Sequence, residues 1–346
     1  MQYRKLGRTG LEVSLIGLGT MTWGRQNTQD EGFEQMDYAL EQGINFFDTA
    51  EMYAVPPNAE TYGKTETIIG NWFNARKNRD KVILATKIAG PGMAWVRDGN
   101  NTIDRKNILL AVEGSLTRLK TDYIDLYQLH WPNRGSYHFG QIWDYAPNFD
   151  KAAVEANFIE VLETLEELIK AGKIRHIGLS NETAWGTCKW LELSEKYKLP
   201  RMASIQNEYS LMARHFEPDL SEISLHEDCG LLAWSPLTRG LISGKYLNGA
   251  MPEGTRLAID SRKEHRANPQ TDATIEAYMA LAKEHNLDVC QMALAFVNQQ
   301  PFVTSNLIGA TSMEQLKSNI DSINLTLSQE VIDGIKTVRR RFPMSF

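Results

Sequence analysis

Cysteine is scarce in this sequence of 346 residues, and none of its cysteines forms a CxxC pair. The three that are present, Cys188, Cys229 and Cys290, are an odd number and lie far apart in the chain. Such a set argues against a framework of disulfides and favours a reducing compartment. The chain also lacks a low-complexity linker that would divide it, so we expect a single domain over residues 1–346.

Long apolar runs and basic clusters are missing as well. No window approaches the roughly 18 consecutive apolar residues of a membrane-spanning helix, and the N-terminal MQYRKLGRTG has no apolar segment typical of a secretion signal. The net charge of −6 would repel a polyanion. The short basic patch at residues 339–341 is interpreted as a solvated helix end. We therefore expect a cytoplasmic protein that binds neither membranes nor nucleic acid.

Two further catalytic signatures are absent. There is no HExxH metal motif, and His226 with Cys229 in HEDC offers only two possible ligands, which do not make a metal site. No GxSxG nucleophile elbow occurs either. The sequence thus predicts neither a metal centre nor a serine hydrolase.

Short apolar runs rich in strand-forming residues recur along the whole chain, separated by segments with helical periodicity such as residues 158–169. Eight such units in one series predict a closed (β/α)8 barrel of the TIM-barrel type rather than an open sheet. The predicted strands are Val13–Gly19, Ile44–Thr49, Val82–Ile88, Tyr123–Trp131, Ile174–Ser180, Met202–Gln206, Leu231–Leu237 and Phe302–Gly309.

Segments outside the eight units complete the predicted architecture. Gln2–Val13, with a turn at residues 8–10, is expected to form an N-terminal β-hairpin, and a helical tail is expected from Ser328 onward. Long connections follow the third, fourth and seventh predicted strands, at Ala89–Asn101, Pro132–Asp150 and Thr238–Thr271. Because segments that follow strands emerge at the C-terminal face of a barrel, we expect the active site there.

Four ionisable side chains lie at the ends of neighbouring predicted strands. Asp48 ends the second strand, with Tyr53 just beyond it, while Lys87 lies in the third and His130 in the fourth. A single buried lysine or histidine is more often a structural hydrogen-bonding group than a catalytic one. A barrel brings strand ends together, however, so the four residues are expected to share one cavity.

Each of the four side chains has a chemical role in such a cavity. A nearby ammonium on Lys87 stabilises the phenolate of Tyr53 and lowers its pKa, and Asp48 favours the charged form of that ammonium. A neutral His130 can donate a hydrogen bond to a substrate carbonyl oxygen, where negative charge grows. The chemistry predicted is protonation of a developing alkoxide. Without a metal site or an elbow serine, the nucleophile is expected to be a hydride from a nicotinamide.

Two motifs resemble nucleotide-binding loops without matching them. Gly17-Leu-Gly19 follows a strand, but Thr22 replaces the third glycine of a Rossmann fingerprint. GLISGKY has one residue too few for a P-loop, and Tyr246 stands where a serine or threonine is required. Both stretches are interpreted as tight backbone turns.

Ordered motifs along nearly the whole chain resemble the aldo-keto reductase superfamily, most closely its Tas-like branch. They are LIGLGTMTWG (15–24), FFDTAEMY (46–53), LATKI (84–88), DLYQLHWP (125–132), GKIRHIGLSNE (172–182), SIQNEYSL (204–211), WSPLTRGLISGKYLNG (234–249) and LIGATSMEQLKSNI (307–320). The resemblance implies an NADP(H)-dependent oxidoreductase acting on a small-molecule carbonyl substrate. It also assigns the family's catalytic tetrad to Asp48, Tyr53, Lys87 and His130.

The same resemblance implies that NADPH, or NADP⁺, lies extended across the barrel mouth. The carboxamide would meet Ser180, Asn181 and Gln206, and the nicotinamide ring would stack on Trp234. The full set of cofactor-binding residues implied is Thr20, Met21, Asp48, Ser180, Asn181, Gln206, Trp234, Ser235, Pro236, Leu237, Gly240, Lys245, Arg256, Gly309, Thr311, Gln315 and Asn319.

The residues expected at the phosphates include one departure from the family. Many members carry an arginine or lysine for the ribose 2′-phosphate where this chain has Gly309 and Gln315. Arg256, Lys317 and Thr311 are the candidate replacements, and the guanidinium of Arg256 can form a bidentate pair with a phosphate. NADP is therefore expected to be preferred over NAD mainly through Arg256.

Aromatic residues are frequent around the expected site. Trp23, Tyr53, His130 and Trp131 are predicted to contact the substrate, and Trp95, Tyr137 and Trp143 lie in the long loops. An aromatic-walled cavity suits an apolar or aromatic carbonyl. An equally weighted interpretation is that some of these rings only pack the loops against the barrel.

Two other functional classes are compatible with parts of the pattern. Some relatives of this fold bind NADPH tightly and act as regulatory subunits of channels, but the closest of them have asparagine where this chain has His130. A barrel isomerase or aldolase using Lys87 as a Schiff base needs a neutral lysine, and Asp48 argues against that form. Turnover with free NADPH distinguishes the first class, and borohydride trapping the second.

Overall fold

A computed structural model describes residues 1–260, 266, 268–344 and 346. A β-hairpin comes first, formed by β1 (Tyr3–Lys5) and β2 (Glu12–Ser14). Eight parallel strands then close into a barrel in the order β10-β3-β4-β5-β6-β7-β8-β9. These strands are β3 (Ile16–Gly19), β4 (Phe46–Asp48), β5 (Ile83–Ile88), β6 (Ile124–Leu129), β7 (Ile174–Ser180), β8 (Met202–Glu208), β9 (Gly230–Trp234) and β10 (Val303–Ile308). The predicted (β/α)8 barrel and hairpin are confirmed.

Two predicted strand boundaries are clearly wrong, since β9 ends at Trp234 rather than at Leu237 and the first barrel strand begins later than predicted. The sequence places Val13 in the first barrel strand, whereas the structure pairs it with Arg4 in the hairpin and begins β3 at Ile16. The hairpin extends to Leu15, whose N–H donates to the oxygen of Gln2 at 2.8 Å. The apolar run that was predicted as one strand therefore contributes β2 to the hairpin and β3 to the barrel, with Leu15 between them.

Eleven α-helices are present in the described part of the chain, and most surround the barrel. They are α1 (Gln29–Glu41), α2 (Lys64–Arg76), α3 (Arg105–Leu119), α4 (Lys151–Lys170), α5 (Ala184–Tyr197), α6 (Leu220–His226), α7 (Arg256–Ile259), α8 (Pro269–Glu284), α9 (Val289–Asn298), α10 (Met313–Asp321) and α11 (Gln329–Arg341). Short polar side chains cap many of the N-termini, and Thr28 with Glu31 forms a capping box at α1. No helix in the described ranges is both long and apolar enough to cross a bilayer.

The hairpin closes the N-terminal end of the barrel. Leu6 and Val13 are completely buried in one apolar cluster with the inward-facing Phe46, Ala85 and Leu126. At the hairpin turn, a Cβ on residue 7 would collide with the backbone oxygen of Ala203, and the residue has a φ of +53°. Only glycine is suited to this approach. The apolar interior thus lies at the hairpin end, which leaves the opposite end for polar side chains.

Three long connections emerge together at that opposite, C-terminal end, as predicted. They follow β5, β6 and β9 and cover residues 89–104, 130–150 and 235–268. Residues 261–265 and 267, which belong to the predicted Thr238–Thr271 connection, lie outside the described residues. The helical tail is also confirmed, since Ser328 caps α11 and that helix packs against α8.

Candidate active site

A buried ion pair lies at the C-terminal end of β4 and β5. The ammonium of Lys87 is 2.7 Å from Oδ2 of Asp48 and also donates to the oxygen of Thr49 at 2.7 Å. Burial opposes charge on this ammonium, but Asp48 and Tyr53 outweigh that effect, and the pKa of Lys87 is raised above its ordinary value. Lys87 is therefore charged, which argues against a Schiff-base role.

Tyr53 contacts the same ammonium. Nζ of Lys87 lies 5.0 Å from the centre of the Tyr53 ring, so the ammonium and the phenol act on each other electrostatically. Burial raises the pKa of Tyr53, and Lys87 lowers it by a smaller amount. The effect of Lys87 has the predicted direction, but the expectation of a net decrease is wrong, because desolvation of the phenolate is the larger effect.

His130 completes the group as a neutral imidazole. Burial, with a smaller contribution from Lys87, holds the pKa of His130 well below its ordinary value. Its ring meets Tyr53 edge-on with 5.8 Å between centres. Within the described residues, Nδ1 of His130 is buried without a hydrogen-bond partner. A buried polar atom of this kind is costly unless a ligand completes its hydrogen bonding.

Two glutamines bind the second oxygen of Asp48. Gln206 donates to Oδ1 at 2.8 Å and Gln128 donates to it at 3.1 Å, and the two glutamines are bonded to each other at 3.1 Å. The sequence analysis did not identify Gln128, which lies inside the apolar run of β6 and is completely buried. The feature that could have identified Gln128 is a single amide side chain at an inward-facing position of a strand. Asp48 is thus held on one side by a cation and on the other by two amides.

The residues expected to bind a carboxamide lie next to this group. Ser180 donates to the backbone oxygen of Gln206 at 2.9 Å, and Asn181 donates to the oxygen of His130 at 2.8 Å. The indole of Trp234 donates to Oδ1 of Asn181 at 3.2 Å. The structure therefore brings four of the predicted residues into one hydrogen-bonded set beside the tetrad. Thr20, the residue after β3, donates its hydroxyl to the backbone oxygen of Asp48 at 2.8 Å.

The segment after β9 contains several residues with a left-handed backbone conformation. Ser235, Thr238 and Gly240 all have positive φ values, and Ser235 Oγ accepts from the Arg239 N–H at 3.0 Å. The predicted residues Pro236 and Leu237 lie between them. Lys245 folds back, so that a Cβ on Gly240 would lie 3.3 Å from its ammonium. Turns of this type direct several N–H groups toward one side.

Arg256 begins α7, and its side chain reaches the loop that follows β3. Its Nη1 lies 3.8 Å from the sulfur of Met21. Its charge also reaches the phenol, because Arg256 is among the groups that lower the pKa of Tyr53. The structure thus places this guanidinium over the mouth of the barrel, close to the tetrad.

The N-terminus of α10 forms the other end of the predicted cofactor site. Oε1 of Gln315 accepts from the N–H of Thr311 at 3.1 Å, and Asn319 donates to the oxygen of Gly309 at 3.3 Å. The space beside Gly309 is open, with nothing within 4 Å of a Cβ at that position. Lys317 points elsewhere, since its ammonium lies 5.5 Å from the ring centre of Tyr38 on α1.

Aromatic rings surround the outer side of the tetrad. Trp131 lies 4.8 Å from His130 and 6.2 Å from Phe139, measured between ring centres. Phe139 in turn stacks on Trp234 at 6.1 Å with 20° between the ring planes. The sequence analysis did not identify Phe139, because one phenylalanine in a long loop carries no positional signal. A cavity beside it is lined by Tyr137, His138, Phe139, Asn207 and Phe346, among others.

Other predicted aromatic contacts are not brought to the site. Trp23 is completely buried, and its indole donates to Gln35 of α1 at 3.1 Å. We therefore remove it from the predicted substrate contacts, because its ring faces the surrounding helices. Trp95 and Trp143 are exposed in their loops. Within the described ranges, no group of three or more His, Cys, Asp or Glu residues is arranged to hold a metal.

Comparisons with known proteins give matches over most or nearly all of the chain. A family model described as "Aldo/keto reductase family" matches residues 15–340. The chain is 48% identical over 343 residues to "Protein tas" of Escherichia coli (strain K12), and the match covers 98% of each chain. It is 35% identical to "Uncharacterized oxidoreductase YrpG" of Bacillus subtilis (strain 168), covering 96% of this chain and 94% of the relative. It is 36% identical to an "Aldo-keto reductase" of Babesia bovis, covering 69% and 88%.

Proposed function

Because the chain belongs to the aldo/keto reductase family, we propose that it reduces an aldehyde or ketone to the alcohol, reversibly, with NADPH as hydride donor and Tyr53 as general acid. Members of this family generally reduce carbonyl groups with NAD(P)H. The observation that carries the proposal is that the side chains of Asp48, Lys87 and Tyr53 are buried together beside a neutral His130. The whole chain is proposed to act as one domain.

The residues at the barrel mouth suit a nicotinamide dinucleotide. Ser180, Asn181 and Gln206 offer amide and hydroxyl groups for a carboxamide, and the half-buried ring of Trp234 offers a stacking face. The left-handed turn after β9, with Lys245, suits a pyrophosphate. The capped N-terminus of α10, whose first backbone N–H groups lack helical partners, suits a phosphate of the adenosine half.

The chain's own residues perform the acid chemistry. Charge on the substrate carbonyl oxygen increases during reduction, and a neutral His130 stabilises it by donating a hydrogen bond. Tyr53 then gives its proton to that oxygen, and the phenolate left behind is stabilised by the Lys87 ammonium. Asp48 keeps Lys87 charged throughout. Trp131 and Phe139 would exclude water and favour an apolar or aromatic carbonyl.

The direct test is a set of aldehydes, ketones and quinones assayed by the loss of reduced-nicotinamide absorbance. We expect turnover of several apolar or aromatic carbonyls with NADPH, and slower turnover with NADH. Stoichiometric binding of NADPH without turnover of any carbonyl would instead favour a regulatory subunit. Borohydride should trap no substrate on Lys87, because the raised pKa of Lys87 keeps its ammonium protonated.

The preference for NADPH over NADH is proposed to depend on Arg256. A charged hydrogen bond contributes roughly 1.5–3 kcal/mol, which corresponds to about ten- to a hundredfold in affinity. We therefore expect Arg256→Ala to weaken NADPH binding by that factor and to change NADH binding little. Fluorescence titration of each cofactor measures this directly. Rates are less suitable here, because Arg256 also acts on the pKa of Tyr53.

A second variant tests the same proposal from the other side. Gly309 has open space beside it, so Gly309→Arg can add a guanidinium without a collision at Cβ. We expect this variant to bind NADPH more tightly and to recover binding when combined with Arg256→Ala. Equal weakening of NADPH and NADH by Arg256→Ala would instead assign Arg256 to the pyrophosphate.

A further inference from the structure

A completely buried glutamate lies in the loop between β4 and α2, two residues before Tyr53. A loop glutamate normally lies in solvent. Oε1 of Glu51 accepts from the N–H of Ala89 at 2.6 Å, and Oε2 accepts from the hydroxyl of Tyr62 at 2.9 Å. Nη1 of Arg97 lies 2.7 Å from both oxygens. A buried charge bonded this completely restricts the positions of all its partners.

Two of the groups bonded to Glu51 lie at the end of β5, the strand that carries Lys87. Ala89 follows directly after β5, and the backbone N–H of Glu51 donates to the oxygen of Lys87 at 3.2 Å. The loop of Tyr53 is therefore joined to the end of β5 by both the backbone and the side chain of Glu51. We infer that Glu51, held by Arg97, is a positioning residue that sets the separation between the Tyr53 phenol and the Lys87 ammonium. The inference rests on the proposed function.

Arg97 comes from the long loop after β5, which contacts the site twice. Its Nη2 donates to the oxygen of Ala89 at 3.1 Å, and its side chain is only 10% exposed. The same loop accepts the indole N–H of Trp131 at the oxygen of Pro91, at 3.0 Å. Apolar residues beneath it form a cluster against which Tyr53 and Trp131 pack. The loop after β5 is thus packed against the proposed general acid, Tyr53, and bonded to the proposed substrate contact Trp131.

The guanidinium of Arg97, which binds both Glu51 and the oxygen of Ala89, and the carboxylate of Glu51 are both needed to hold the Tyr53 loop against β5. Without the guanidinium, the carboxylate of Glu51 would be a buried charge without an ion-pair partner and would move toward water. That movement disturbs its bond to Ala89 and with it the connection between the loop and β5. Proton transfer needs heavy atoms within about 2.6–3.2 Å, and a misplacement of about 1 Å can cost on the order of a hundredfold in rate.

The test measures Arg97→Met and Glu51→Gln in the full-length protein with NADPH and the best carbonyl of the substrate set. We expect kcat to fall by about ten- to a hundredfold, with little change in NADPH Kd. Arg97→Lys keeps the charge without the fork and should give an intermediate kcat. Should Arg97→Met fail to fold, the Lys variant alone decides the question.

The pH profile separates positioning from general stability. The charged groups acting on Tyr53 are Lys87, Asp48 and Arg256, and His130 meets its ring edge-on. All four remain in the Arg97 and Glu51 variants. A larger separation from Lys87 should raise the pKa of Tyr53. Because reduction needs the protonated phenol, the alkaline limb of kcat should then move to higher pH.

A matched control is the ion pair of Arg79 with Asp125, at the opposite end of the barrel. Its side chains are 14% and 3% exposed, against 10% and 0% for Arg97 and Glu51. Arg79→Met should lower Tm without altering kcat or its pH profile. Variants of Arg97 and Glu51 that lose Tm but keep the wild-type kcat and pH profile would overturn the inference. A wild type that reduces no carbonyl would instead refute the proposed function.

Discussion

Replacement of Tyr53 by phenylalanine should lower carbonyl reduction by about 10²–10⁴-fold, the usual contribution of a general acid. The change removes one hydroxyl, whose pKa is lowered by Lys87, and leaves the ring in place. NADPH binding, measured by fluorescence titration, should be unchanged, because Tyr53 is not among the residues predicted to bind the cofactor. Steady-state kcat with the best carbonyl substrate gives the measurement.

Tyr127 provides the matched control for this experiment. It is completely buried on β6, and its hydroxyl has no hydrogen-bond partner within the described residues. Tyr127→Phe removes the same group from a site where it makes no bond, so kcat should remain at the wild-type value. A Tyr53→Phe enzyme that keeps more than about a tenth of wild-type turnover would remove Tyr53 from the acid role.

Lys87→Met should produce the second large loss, with a change in pH dependence as well as in rate. Lys87 lowers the pKa of Tyr53 against the opposing effect of burial. Without it that pKa rises, so the alkaline limb of reduction should move to higher pH. The rate below that limb should also fall, because a weaker acid transfers its proton less readily. A pH profile of kcat compared with wild type makes the test.

The same substitution should also destabilise the fold. Asp48 is buried and would lose its only ion-pair partner within the described residues, and breaking a buried pair in this way costs about 3–5 kcal/mol. The double variant Lys87→Met with Asp48→Asn removes the unpaired charge, so it should regain most of the free energy of unfolding but none of the activity. Recovery of activity in the double variant would show that Lys87 acts through stability alone.

The parts of the site that follow strand geometry could be predicted from the sequence. Asp48, Lys87 and His130 each lie at or next to the end of an apolar run, and closure of eight strands into a barrel brings such ends together without further information. Side-chain direction is less accessible. Trp23 follows the first barrel strand as closely as Tyr53 follows the second, yet its ring turns outward to Gln35. Loop conformation decides that direction, and periodicity does not describe loops.

Contacts between distant loops could not be predicted either. Glu51 and Arg97 are 46 residues apart, and each is a charged residue in a loop, which from the sequence alone is expected to be exposed to solvent. Gln128 looks like an interruption of an apolar strand until the inward face of β6 is known to oppose Asp48. The net pKa of Tyr53 has the same origin, since the sequence names its charged neighbours but not the degree of burial, which has the larger effect.

The hydrogen bond from Gln206 to Asp48 joins the proposed carboxamide site directly to the ion pair. Two sites that share a group are thermodynamically linked, and the linkage is equal in both directions. If the carboxamide draws Gln206 away from Asp48, the proton affinity of the buried group formed by Asp48, Lys87 and Tyr53 changes. By reciprocity, the affinity for the cofactor then depends on the protonation of that group by the same factor. The pH dependence of NADPH binding alone, with no substrate present, would thus report the ionisation of the acid.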